Sequence, residues 1–184
     1  MALRIKSQWY NEDSERSLEE IAGALAFNGW KIAMERAINL HGEHFVYSDD
    51  QQRLDVIAEY LIFQTQLVDR MVHGNLDSER RRALVTALAL RLADHMEENS
   101  QDLLGPGEHR SRFINRLNRR SADYSELGFG EQGPSYPFMR HLGYEIQQLM
   151  GPSQENRWVI DQVMDIDGPE IYKQLKRVLR NLFM

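Results

Sequence analysis

The sequence predicts an all-α fold, a compact single-domain bundle of about six or seven helices. Three observations point there. Apolar residues recur at three- and four-residue steps along most of the 184 residues. Cap signatures precede these runs, and no alternating stretch between them reads as a strand. Gly74, Gly105, Gly128 and Gly151 fall where the runs stop, as expected of helix C-termini.

Residues 1–16 form an N-terminal arm that Trp9 and Tyr10 can dock, and 17–184 form the helical domain. Ser17-Leu18-Glu19-Glu20 reads as a capping box for a first helix reaching about Leu40. Gly23 and Gly29 weaken that helix and suggest a close helix crossing. Ser48-Asp49-Asp50-Gln51 is a second capping box, before a helix running to about His73. Ile62 and Phe63 widen that helix's apolar stripe, so it should be covered on more than one side. Gly74-Asn75-Leu76 then turns the chain into a third helix, from Asp77 or Ser78 to Leu104. A connection this short makes the two helices an antiparallel pair.

Gly105-Pro106-Gly107 breaks the chain before a fourth helix from His109 to about Leu127. Residues 128–137, with three Gly and two Pro, read as irregular. A helix follows from Phe138 to Met150, then a short one capped by Ser153, then a last one from Pro169. The expected core is Leu54, Ile57, Leu61, Val68, Leu84, Leu88, Leu92, Phe113, Leu117, Ile146, Trp158 and Leu175.

Cysteine is absent and the net charge is −6. The first excludes disulfides, thiolate zinc sites and thiol nucleophiles, and fits a reducing, cytoplasmic setting. The second weighs against non-specific nucleic-acid binding over the whole surface. No run approaches ~18 apolar residues, so no transmembrane segment is expected. Neither Gly-x-Ser-x-Gly nor a phosphate-binding glycine loop occurs.

A bundle can build a di-metal site from Glu-x-x-His pairs, but this chain has none. His41 and His44 read as helix-end cations, Asp69 and His73 as a surface pair, and Asp94 to Glu98 as a solvated face. No metal, cofactor or catalytic residue is therefore expected. Arg112, Arg116 and Arg119 or Arg120 share one stripe of the fourth helix, and Lys173, Lys176, Arg177 and Arg180 one face of the last. Either face could meet an anionic surface. The expected partner site joins the 128–137 loop to the fourth helix, with Phe129, Tyr136 and Phe138 as apolar anchors beside Arg112, Arg116 and Arg120.

Short pieces of the chain, Tyr47-Ser48, Arg53-Leu54-Asp55, Asp94-His95-Met96, Gly105 and Arg116-Leu117, resemble the ubiquinol-cytochrome c chaperone family of helical assembly factors. The resemblance covers less than half the chain. Where that family tends to show a Gly-Asp step, this chain has Gly105-Pro106-Gly107. It implies a protein that binds other proteins. The resulting expectation is a non-enzymatic interaction module that self-associates as a homodimer. The alternatives are a metal-dependent helical enzyme with His, Asp and Glu ligands, or a nucleic-acid or anionic-surface binder using the Arg-rich helix.

Overall fold

The computed structural model describes residues 16–43, 45–152 and 158–183; residues 1–15 of the N-terminal arm, His44 and Ser153 lie outside them. Seven α-helices occur among the described residues: α1 (Leu18–Glu43), α2 (Asp50–Val72), α3 (Ser78–Leu104), α4 (His109–Ser125), α5 (Tyr136–Met150), the single-turn α6 (Val159–Gln162) and α7 (Gly168–Phe183). The fold is all-α, and no described helix is long and apolar enough to cross a membrane.

Ser17 and Glu20 form the expected reciprocal capping box at α1. At α2 the cap is Asp49 rather than Ser48. The Asp49 carboxylate accepts the Gln52 N–H at 2.7 Å, and the Gln52 side chain reaches back to the Ser48 N–H. A carboxylate at the positive end of the helix outcompetes the neighbouring hydroxyl. α5 starts two residues before Phe138, because Ser135 caps the Phe138 N–H and Pro137 is harmless in the first turn.

α2 is the axis of the molecule. It packs against α1, α3, α4, α5 and α7, and every residue from Val56 to Val68 is buried. Ile62 and Phe63 are wholly enclosed. The wide stripe is thus covered within one chain, which removes the argument that it needs a dimer partner. Gly29 supplies a close contact: a Cβ there would stand 3.0 Å from Gln64 Oε1, whose amide donates to the Gly29 carbonyl. Gly23 has no such neighbour.

The 128–137 stretch is not wholly irregular. Phe129–Gly130 (β1) pairs antiparallel with Gly133–Pro134 (β2) in a minimal hairpin. Gly133 makes it possible. Its φ is +107°, and a Cβ there would sit 2.6 Å from the Tyr172 ring of α7. The ends of the two predicted C-terminal helices are also fused, since a π-helical turn (Val163–Asp167) joins α6 to α7.

Of the expected core, Trp158 is the exception, 57% exposed at the start of α6. Burial there goes to Val159 and Val163 instead. Phe138 is likewise not a surface anchor. It is fully buried against Phe63, Tyr124 and Phe129. Phe138→Ala should therefore cost about 3–5 kcal/mol by urea denaturation. Tyr136→Ala, at a 70% exposed position, should stay within ~0.5 kcal/mol. Equal small effects would contradict this placement.

Candidate functional site

The arginine stripe of α4 faces inward. Its residues meet carboxylates that α2 presents one turn apart. Arg116 donates to the Asp55 carboxylate at 2.9 Å and to the Asp55 carbonyl at 3.2 Å. Arg120 grips Glu59 with two nitrogens, at 3.0 to 3.2 Å. It also reaches Glu145 of α5 at 2.5 Å and Asp123 at 3.7 Å. The Glu59 side chain is only 1% exposed. A carboxylate so deeply buried is tolerable only with a cation bonded to it. Arg112 is half exposed and pairs with Asp55 at 3.4 Å; Arg119 points to solvent. Of the arginines expected to receive an acidic partner, Arg116 and Arg120 are thus internal ties, while Arg112 is half exposed and shares Asp55 with Arg116.

The predicted loop residues part company: Phe138 is buried, and Tyr136 and Phe129 line different grooves. Tyr136 stands at the rim of a groove of about 680 Å³ between α4 and α5, with Asp123, Arg140, His141, Tyr144 and Glu145. His141 leans edge-on against Tyr124 at 4.8 Å. Its Nδ1 is 4.0 Å from Glu145 and its Nε2 3.6 Å from Asp123. Burial holds the Glu145 carboxyl above its usual value, against the pull of Arg120. His141 and Glu145 were not picked out from sequence. Their i,i+4 spacing on α5 is the signal that could have found them.

Phe129 lies on the other side of the hairpin, half-buried and edge-on to Tyr172. Between hairpin and α7 runs a second groove, of about 790 Å³. Its apolar wall includes Phe129, Tyr172, Leu179 and Phe183; its cations are Arg70, Lys173, Lys176, Arg177 and Arg180. Arg70 is tied to the Tyr124 carbonyl, Lys173 lies 4.0 Å from Glu170, and Lys176 lies over the Tyr172 ring at 5.6 Å. Among the described residues, no carboxylate pairs with Lys176, Arg177 or Arg180. A third cleft, of about 430 Å³ between α2, α3 and α4, is lined largely by groups already engaged, such as Gln66 on Ser121 and Asp69 on Arg81.

The Asp69–His73 surface pair expected from sequence does not form. Asp69 bonds Arg81 at 3.0 Å, and His73 stands exposed beside the α7 groove. Asp94 and Glu97 hold Arg110, while His95 lies against Trp30. His44 and the His41 side chain are outside the described residues.

A further polar cluster lies at the π-helical turn. Asp167 is fully buried and accepts the Tyr60 hydroxyl at 2.7 Å, with Arg36 3.9 Å away. Its other oxygen has no hydrogen-bond partner. Burial outweighs the pull of Tyr60 and Arg36, so the Asp167 carboxyl titrates above its ordinary 3.8. An unburied π-turn carboxylate would not need such neighbours; this one ties α7 to α2.

Comparison with protein-family models, with curated proteins and with solved structures found no match, so the short stretches of family resemblance carry no assignment.

The raised Asp167 value fixes a sign. Below about 3.8 its carboxyl is neutral in both folded and unfolded chains. As pH rises, the unfolded chain releases its proton first, so stability falls through the window up to the folded value. Asp167→Asn keeps an acceptor for Tyr60 and removes this loss. Its stability relative to wild type should rise between about pH 3.5 and pH 7 in thermal melts. A difference constant with pH would contradict the assignment.

Proposed function

We propose that the protein is a cytoplasmic helical interaction module that takes an acidic segment of a partner protein, carrying aromatic or leucine side chains, into the hairpin–α7 groove. The observation that carries this is the row Lys176, Arg177 and Arg180, unpaired among the described residues, beside Phe129, Tyr172 and Phe183. Among the described residues no carboxylate lies within ion-pair distance of these three, although the chain carries a net charge of −6. Unpaired cations flanking apolar walls suit carboxylates interspersed with large apolar side chains.

Shape narrows the partner. A concave groove of this volume matches a few side chains of a peptide. A bilayer or a duplex needs a broad cationic face, which the acidic remainder of this chain does not favour. The cysteine-free sequence supports the cytoplasmic setting. Self-association is not needed for this reading, because the apolar surplus of α2 is covered inside the chain.

Selection of a random peptide library on the full chain tests it. The retained peptides should combine Asp or Glu with Leu, Phe or Trp. Binding should weaken with salt, and Arg177→Glu with Arg180→Glu should reduce affinity at least about tenfold. The control Arg119→Glu, on exposed α4 surface, should bind normally. Selected peptides without acidic residues, or indifference to the α7 variant, would contradict the proposal. A labelled single-stranded oligonucleotide that binds more tightly than any selected peptide, and is lost in the same variant, would overturn it in favour of nucleic acid.

A further inference from the structure

We infer that Asp123, His141 and Glu145 form a binding site for one divalent transition-metal ion, in the groove between α4 and α5. The inference is independent of the α7 groove. One ligand atom from each of these residues lies within 4.8 Å of the other two. Two helices supply them. His141 and Glu145 are one turn apart on α5 and leave the same face. Asp123 comes from the last turns of α4, three residues after Arg120.

The state of His141 points to a ligand. Its Nε2 is shielded from solvent and has no hydrogen-bond partner. The nearest carboxylate oxygen, on Asp123, is 3.6 Å away, too far for a hydrogen bond. On the other side of the ring, Nδ1 is 4.0 Å from Glu145 Oε1. Two donors each ~2.1 Å from a tetrahedral ion stand ~3.4 Å apart. The Asp123–His141 separation is therefore close to that of two ligands sharing an ion, and longer than that of a bonded pair. The edge-on contact with Tyr124 sets the plane of the ring.

Charge and free valence agree with this. Arg120 lies within reach of Glu59, Glu145 and Asp123, and Glu59 is shared with Arg116 at 3.8 Å. Glu145 gives its Oε2 to Arg120 and leaves Oε1 on the side of His141. A divalent ion takes one nitrogen of the ring, and one ligand atom from each of the three residues lies within 4.8 Å of the other two; bound at Nε2, it gives that nitrogen the partner it lacks. One imidazole and two carboxylates suit zinc or manganese rather than a soft ion such as Cu(I). Tyr136, Arg140 and Tyr144 line the groove around the three ligands. With three protein ligands the ion keeps a position open to water or to a small anionic ligand, the coordination pattern of sites that do chemistry rather than of closed structural ones.

The test is calorimetric titration of the full chain, free of any His tag and stripped with EDTA, with zinc chloride. Cobalt(II) absorption gives a second readout of the ligand set. One ion per chain should bind. Asp123→Asn and His141→Gln should each weaken it at least about tenfold. The double variant His41→Gln, His44→Gln should bind as wild type does. Asp123 is half exposed, so its substitution does not threaten the fold, and that variant decides the matter if His141→Gln unfolds. Absence of saturable binding up to about 100 μM zinc, binding that survives Asp123→Asn, or binding removed by the His41 and His44 changes would each overturn the site.

Discussion

Enclosing α2 on every side takes Glu59 away from water and leaves Asp55 only partly exposed. A carboxylate in that position needs a cation bonded to it, since an unpaired one costs several kcal/mol. α4 meets the need with Arg116 and Arg120, spaced four residues apart like the two carboxylates. The two ladders match in register only when α4 lies along α2 in one way. Arg120 then extends the tie to Glu145, which brings α5 alongside. The rest of the arrangement follows from this ion-paired seam. It fixes the α4–α5 groove, and it places Phe138 of α5 on Phe63 and Tyr124.

The hairpin packs onto α5 and α7 and walls the α7 groove. Phe129 bridges Phe138 and Tyr172, and Gly133 lets the backbone lie directly on the Tyr172 ring. Phe129 and Gly130 of the hairpin face the α7 cations, and Tyr136, just after it, lines the His141 groove. The two differ in chemistry. The α7 groove carries unpaired positive charge beside apolar rings and suits an acidic peptide. The α4–α5 groove brings Asp123, His141 and Glu145 together and suits a cation.

Most of the fold was legible in the sequence because its helices are amphipathic and capped by short-range signals. Ser17 with Glu20, and the turn at Gly74, depend only on residues a few positions apart. The shift of the α2 cap to Asp49 was less legible, since two adjacent residues can both cap. The π-helical turn was not legible at all, because tertiary demands place Asp167 under Tyr60 and no local pattern marks that. Trp158 misled because bulk alone does not decide burial when Val159 and Val163 fill the space.

The candidate site was legible only in part, for a related reason. A stripe of arginines looks the same in sequence whether it faces solvent or a buried carboxylate, and the partner residues lie about sixty positions away. The α7 cations were visible as a face, but their lack of partners is a property of the folded chain. The most direct measurement of the account is a double-mutant cycle on the seam, using Glu59→Gln, Arg120→Gln and their combination in urea unfolding. The account predicts a coupling of about 1–3 kcal/mol. Additive losses within ~0.5 kcal/mol would show that the two residues do not act as a pair and would contradict it.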